Sequence, residues 1–249
     1  MNSALASPPP FISVIIPALN EANVIGATLR SVNCASIQHE IILSDGGSVD
    51  ETVPIAAAAG ARIVHSRCAQ RAAQMNLGAA AARGEVLLFL HADTHLGFGA
   101  LSAIGDALRD PSVAGGAFAR RYDSPSRLLM ATCWLAELRS RLWGWHLGDQ
   151  AIFARGDAFE RCGRFPEMDQ FEDLTFSRAL ARCGRVVTLR PPVLSAARRF
   201  NEDGPFLRTA KDLFLTCRHL ARRRTSQSNR LRPAWRNGDT SESSCLTNP

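Results

Sequence analysis

The sequence predicts a single α/β domain built on a mostly parallel central sheet, and three observations carry the prediction. Up to residue 90, short β-rich runs alternate with helical patterns, which is the spacing of βαβ units. Three apolar runs end in polar or acidic residues. Ile12 to Ile16 leads into Pro17-Ala18-Leu19-Asn20-Glu21, Ile41-Ile42-Leu43 into Ser44-Asp45-Gly46-Gly47, and Val86 to Leu90 into His91-Ala92-Asp93. This is expected where the C-terminal edge of an open sheet lines one crevice. The chain has 249 residues, 46% of them hydrophobic, enough for one sizeable core but short for a second full domain.

Residues 12–16 make the first strand, all apolar and β-branched apart from Ser13. A helix is expected near 22–32, a strand over 40–44, a helix near 51–59, a strand over 62–65, a helix near 69–82 and a strand over 86–90. After Asp93 the pattern changes. Residues 100–108 read as helix, 114–120 as extended, and 128–143 as an apolar-rich helix carrying Trp134 and Trp143. Residues 151–154 read as a strand, 174–181 as a helix preceded by Glu172-Asp173, and 186–189 and 193–197 as two strands. From Phe206 to Ala221 apolar residues recur at i, i+3/i+4 opposite Arg208, Lys211, Arg218 and Arg222, one face of an amphipathic helix over 206–224. Docking on the protein's own core is the first expectation for that face and a membrane surface the second. Residues 1–10 read as a loose leader, and the polar segment 225–249 as disordered.

The formal net charge is +6, but residues 1–207 are balanced and the excess lies in 208–249, with nine basic and three acidic side chains. No nucleic-acid partner is expected of the domain. Lys211 is the one lysine among 29 basic residues, which genomic codon bias explains as well as phosphate recognition does. Seven scattered cysteines without a Cys-x-x-Cys pair suit a reduced, cytoplasmic protein without disulfides or structural zinc. No apolar stretch reaches the ~20 residues that cross a bilayer, and the first ten residues lack the pattern of a signal peptide. Neither Gly-x-Gly-x-x-Gly nor a Walker loop is present, which sets dinucleotide and P-loop enzymes aside.

Asp45-Gly46-Gly47-Ser48-Val49-Asp50 is the most informative stretch. A carboxylate at the sheet edge can accept hydrogen bonds from a base or ribose, and the glycines leave room for a ligand against the main chain. An ordinary strand-to-helix turn with Ser48 or Asp50 as N-cap is the alternative. Taken in chain order over about residues 12–199, these motifs resemble family 2 glycosyltransferases of the GT-A fold. The likeness is strongest to a small bacterial subgroup labelled arsenosugar-biosynthesis glycosyltransferases. It is carried by Arg71-Ala72-Ala73-Gln74-Met75-Asn76, Leu90-His91-Ala92-Asp93-Thr94, Gly148-Asp149-Gln150 and Ser195-Ala196-Ala197-Arg198-Arg199.

The resemblance implies a GT-A, Rossmann-like domain over 11–205, with a nucleotide-binding half over 11–95 and an acceptor half over 96–205. It implies a nucleoside-diphosphate sugar as donor and a small-molecule or lipid-like hydroxyl compound as acceptor, in the cytoplasm or peripherally on the inner face of the membrane. Pro17, Leu19, Glu21, Asp45 and Gly46 would hold base and ribose, with Ala92 beside them. Asp93 would ligate a divalent cation, Mn²⁺ or Mg²⁺, at the diphosphate. His91 replaces the first acid of an Asp-x-Asp pair; as a ligand it would favour Mn²⁺, and as a packed histidine it would sit behind the site.

Arg71, Gln74 and Asn76, at or near a helix start, would reach the diphosphate or donor sugar, or else form a solvated helix face. Glu172-Asp173 matches an acidic pair whose second member is the base of inverting enzymes, although an acid at a helix start also serves as a cap and tends to stay ionised. Gly148, Asp149 and Gln150 fall where acceptor contacts are expected, with Asp149 as reserve base. Cys162 stands where the family has the first glycine of a Gly-Gly-Phe segment. A nucleotide-sugar-binding protein without catalysis, and a membrane- or partner-binding module, are the readings from other classes.

Overall fold

Strand burial sets the architecture. In a computed structural model describing residues 9–35, 37–168 and 170–196, the first strand, β1 (Ile12–Ala18), is buried along its whole length. A strand covered on both faces needs apolar side chains in both directions, which is why it reads as a continuous run. Helix α1 (Ala22–Asn33) covers one face through Ile25, Thr28, Leu29 and Val32, a stripe at helical spacing. β2 (His39–Asp45), α2 (Thr52–Ala58), β3 (Arg62–His65), α3 (Arg71–Ala81) and β4 (Val86–Phe89) continue the alternation. The rest of the described chain comprises β5 (Thr94–His95), α4 (Ala100–Ala107), β6 (Val113–Tyr122), α5 (Arg127–Trp143), a short 3₁₀ turn at Gly148–Gln150, β7 (Ile152–Arg155), α6 (Gly156–Arg161), α7 (Glu172–Cys183) and β8 (Arg185–Ser195).

The eight strands form one sheet in the order β3-β2-β1-β4-β7-β6-β8-β5. β1, β2, β3 and β4 pair in parallel, β7 runs antiparallel to both β4 and β6, β6 and β8 are parallel, and β5 is antiparallel to β8. Side chains alternate between two cores. Ile12, Val14 and Ile16 join Leu88 and α1 on one face. Ile15, Ile42, Leu87 and Phe89 meet α3, α6 and α7 on the other. The second core centres on rings: Phe89 lies 4.8 Å from Phe165 and 5.2 Å from Phe159 by centroid, and Phe165 lies 4.4 Å from Phe176. Truncating Phe89 to alanine would leave a cavity among these rings at a cost of about 3–5 kcal/mol.

The structure departs from the sequence reading at several elements. The two strands expected over 186–189 and 193–197 are one, β8. Opposite β6 the register jumps from Phe118↔Leu189 to Arg120↔Val193, so Arg190-Pro191-Pro192 bulges out where prolines, lacking an N–H, could not join the ladder. β6 runs two residues beyond the expected Arg120. β5 and α6 are additional short elements. The described residues belong to the compact unit Met1–Arg208; a second unit, Thr209–Pro249, lies outside them. The expected helix over 206–224, the tail over 225–249, residues 1–8 of the leader and Arg198-Arg199 also lie outside the described residues.

Candidate active site

The loops after β1 and β2 are laced together. Asn20 N–H donates to Ser48 Oγ (2.9 Å), Val49 N–H to Asn20 Oδ1 (2.9 Å), Glu21 N–H to Thr52 Oγ1 (2.8 Å) and Ala22 N–H to Asp50 Oδ2 (3.1 Å). Asn20 takes the left-handed conformation (φ 54), which asparagine tolerates better than most residues. Glu21 is the N-cap position of α1 without a side-chain cap bond, and Leu19 is exposed while Pro17 is buried within β1.

Asp45 ends β2, nearly buried, and accepts from the N–H groups of Gly47 and Ser48 at 3.1 Å. Burial pushes its carboxyl up, but the Ser48 side chain, those N–H groups and His65 together hold it below the usual carboxylate range. Asp50 Oδ1 accepts from the N–H of Thr52, the first residue of α2, at 3.0 Å, although the N-cap position itself is Glu51. The turn is thus capped by Asp50 as well as laced to the loop after β1.

Gln74 is buried, and its amide donates to Ala18 O and Ser44 O, both at 2.8 Å. It ties β1 to β2 below the crevice. Gly46 is small because of it: a Cβ there would lie 2.9 Å from Gln74 Nε2 and 3.3 Å from Ala69 Cα. Asn76 pairs reciprocally with Phe165, donating to its carbonyl (2.9 Å) and accepting from its N–H (3.0 Å). Gln74 and Asn76 thus brace the crevice from beneath in this structure. Arg71 is half-exposed at the start of α3, and its guanidinium reaches Glu172 at 3.5 Å.

The segment after β4 is fastened to α1. Thr28 Oγ1 donates to Ala92 O at 2.7 Å and Leu96 N–H to Ser31 Oγ at 3.1 Å. Ala92 is buried and Asp93 partly exposed between these anchors. Among the described residues no donor meets the Asp93 carboxylate. No cluster of three or more His, Cys, Asp or Glu side chains that could hold a metal occurs among the described residues.

Asp173 is the second residue of α7, following Glu172 and the N-cap Phe171, which holds φ 66. A bulky residue in that conformation costs on the order of 1–3 kcal/mol and persists where its surroundings enforce it. Asp173 Oδ2 accepts from Gly148 N–H (2.5 Å) and Oδ1 from Leu174 N–H (2.6 Å). The sequence expectation is an acid that stays ionised at a helix start. Burial and the neighbouring charge of Glu172 outweigh the two N–H donors and push its carboxyl up to about 6, so it is ionised near neutral pH but only above about 6.

Asp149, on the turn of residues 148–150, behaves oppositely. Burial raises it, but the Arg120 guanidinium, His91 and the Tyr122 hydroxyl hold it below the usual range. Arg120 Nη1 bonds Asp149 Oδ2, and Tyr122 donates to the same oxygen at 3.1 Å. Among the described residues Asp149 Oδ1 and Arg120 Nε are buried without hydrogen-bond partners. His91 packs here too: a Cβ on Gly148 would lie 2.6 Å from His91 Nε2 and 3.2 Å from Asp173 Oδ2. A side chain at residue 148 would occupy the space between these groups.

The fold therefore brings His91, Gly148, Asp149, Glu172 and Asp173 together, with Arg71 at the edge. Gln150, expected to touch an acceptor, is wholly buried. Its amide donates to Phe118 O, and its oxygen accepts from Arg139 and Leu147 N–H, so it supports the turn from below. Cys162 takes φ −78 and leaves the left-handed position to Gly163 (φ 84); the missing first glycine thus imposes no strain. Arg120 and Tyr122 escaped the sequence reading, although polar residues ending an apolar strand, the signal used for Asp45, also mark them.

Comparison with known proteins gives the chain relatives on both counts, sequence and fold. It is 41% identical over 96 residues to a PGL/p-HBAD biosynthesis glycosyltransferase of Mycobacterium bovis, covering 35% of this chain and 37% of that protein. It is 35% identical over 92 residues to the glucosyl-3-phosphoglycerate synthase of Mycolicibacterium paratuberculosis, 33% of this chain and 28% of that one. The chain thus spans about a third of the length of these curated relatives.

Among solved structures, the mannosyltransferase PcManGT of Pyrobaculum calidifontis, in complex with GDP-Man and Mn²⁺, superposes with a TM-score of 0.60. It is 21% identical and covers 76% of this chain and 57% of that one. S. aureus TarS 1-349 in complex with UDP superposes with a TM-score of 0.64 at 17% identity, covering 74% and 60%. At such identities the likeness is one of fold, a GT-A-like α/β domain. The sequence pattern described as glycosyl transferase family 2 matches residues 13–159, more than half of the chain, and the protein belongs to that family.

Proposed function

We propose that the protein transfers a sugar from a nucleoside-diphosphate sugar to a hydroxyl acceptor, small or lipid-like, with inversion at the anomeric carbon. The observation that carries this reading is the pairing of Asp173, raised to about 6, with Asp149, held low, around one turn of chain. Two carboxyls driven apart by their surroundings are the usual mark of assigned acid and base roles. Near neutral pH, Asp173 is ionised yet close enough to its pKa to accept a proton. It takes the acceptor hydroxyl's proton as that oxygen attacks the anomeric carbon, while the nucleoside diphosphate leaves from the opposite face. Asp149, neutralised by Arg120, orients the turn whose Gly148 N–H steadies Asp173.

The residues present fit a divalent cation. Asp93 offers a hard-oxygen donor that no described residue engages, and one protein carboxylate suffices for Mg²⁺ or Mn²⁺ when phosphate oxygens and water complete the shell. Such an ion would supply charge neutralisation at the departing diphosphate. The Mn²⁺ bound by PcManGT and the UDP bound by TarS support this reading. Asp45, Glu21, Leu19 and Pro17 would frame base and ribose, and Arg71 the phosphates. Kinship with the arsenosugar-labelled subgroup belongs to the same proposal, on the strength of its shared motifs. The test is a panel of nucleoside-diphosphate sugars with hydroxylated acceptors. Acceptor-dependent release of nucleoside diphosphate and an inverted product configuration by proton NMR are expected. A product of retained configuration would overturn direct displacement by Asp173.

A further inference from the structure

Helix α5 presents an apolar face that no other described residue covers. Eleven large hydrophobic residues are exposed among the described residues, and six of them lie on this one helix: Met130, Trp134, Leu135, Leu138, Leu142 and Trp143, from 40% to 64% exposed. They recur at i+4 and i+3/i+4 spacing and make a stripe opposite Leu129, Ala136 and Ser140, which pack inward. A contiguous patch of this kind on a soluble surface marks an interaction site. The charge around it is basic. Arg127 and Arg141 are exposed near the two ends, and the one acid of the helix, Glu137, is already paired with Arg141 and Arg190.

From these features we infer that α5 docks the protein on an anionic lipid surface, lying in the interfacial plane. The residue types favour lipid over a second copy of the chain. Indoles prefer the boundary between headgroups and acyl chains, and Arg127 can extend to lipid phosphate while its stem stays with the apolar face. A self-complementary interface would bury Arg127 with no free acid in the patch to balance it, since Glu137 is already paired with Arg141 and Arg190. The helix does not cross the membrane: no described helix is long and apolar enough to do so. Directly beneath the face, Met130 and Trp134 line a cavity of about 460 Å³ whose inner wall is Arg120 and Tyr122. Lipid docking would hold that cavity at the bilayer surface.

The test uses the full chain with vesicles of phosphatidylglycerol and of phosphatidylcholine. Binding to the anionic vesicles is expected, with tryptophan fluorescence quenched by lipids brominated on the acyl chain. Leu138→Glu with Leu142→Glu should weaken vesicle affinity at least about tenfold, the scale of withdrawing two leucines from an apolar phase, and should abolish most of the quenching. Both leucines are exposed, so the melting temperature should hold. Unquenched fluorescence of the wild-type protein on bound vesicles would overturn the inference without recourse to any variant. So would unchanged affinity in the double variant, or a wild-type dimer in light scattering that the double variant converts to monomer.

Discussion

The crevice has two walls built on different principles. On the side of β1 and β2, polar groups are satisfied in pairs. Main-chain N–H groups meet the side chains of Asn20, Ser48, Asp50 and Thr52, and Asp45 sits in a ring of donors that keeps it ionised. On the side of α7 and the 148–150 turn, acids crowd together. Asp173 is pushed up, Asp149 is held down, and buried atoms of Asp149 and Arg120 lack partners among the described residues. A wall laced by main-chain hydrogen bonds, even with Ser44 Oγ of β2 buried and unpartnered among the described residues, is rigid and suited to holding a ligand. One whose carboxyls are displaced in opposite directions is suited to moving a proton. The contrast makes the two walls separable by mutation.

The largest expected effect lies on the strained wall. Asp173→Asn should lower turnover by about 10²–10⁴, the scale of a lost general base, while leaving nucleotide affinity nearly unchanged; steady-state kinetics with calorimetry would check both. In the wild type, activity should rise with pH through about 6 as Asp173 ionises, and the variant should lose that limb. A variant as active as wild type would move the base to Asp149 or Glu172.

Second in size is Asp93→Ala, which belongs to neither wall. If a cation bridges Asp93 and a diphosphate, the gain in nucleoside-diphosphate affinity on adding Mn²⁺ should disappear, a change of at least about tenfold or 1.4 kcal/mol. Affinity measured with chelator present should be unaltered. Persistence of the Mn²⁺ effect would remove Asp93 from the metal role.

The third effect has the opposite sign. Folding favours the protonated form of an acid whose pKa is raised. Asp173 therefore destabilises the protein increasingly as pH climbs from the ordinary carboxyl value through about 6, and fully above that. Asp173→Asn should raise the melting temperature at neutral pH, by less than the roughly 3 kcal/mol that such a shift represents, because the amide nitrogen cannot accept one of the two N–H groups the carboxylate receives, with the difference shrinking towards pH 4. An enzyme that loses activity and gains stability through one atom exchange would show that this wall is held under electrostatic strain.

The two walls were not equally legible in the sequence. The β1 and β2 edge was, because its signals are local: an apolar run, a polar end and glycines within a few residues. The α7 wall was located by Glu172-Asp173, but its electrostatics were not. They depend on Gly148 and Asp149, more than twenty residues away in sequence, and on Arg120 and Tyr122 from another strand. The polar end of that strand marks Arg120 and Tyr122 as the end of β2 marks Asp45, but not which distant carboxylate they meet. Gln74 and Asn76 look in sequence like exposed helix polars. Their partners are main-chain groups at Ala18, Ser44 and Phe165, which no local pattern reveals. The unity of β8 was masked by Pro191-Pro192, which break a strand pattern but not a sheet that can bulge around them.

The smallest effects sharpen the comparison most. Ser48→Ala removes the acceptor for Asn20 N–H and one donor to Asp45. The site is exposed enough for water to replace part of each bond, so the loss should be about 0.5–1.5 kcal/mol. It should appear as weaker nucleotide binding by calorimetry with the pH profile of turnover unmoved, because Asp45 takes no part in proton transfer. Tyr122→Phe removes a donor to Asp149, and with it part of what holds that carboxyl low. Its effect should be of similar size but appear in the acidic limb of the pH profile, with nucleotide affinity unmoved. If either substitution altered both observables equally, the two walls would be one coupled unit and their division of labour would fail.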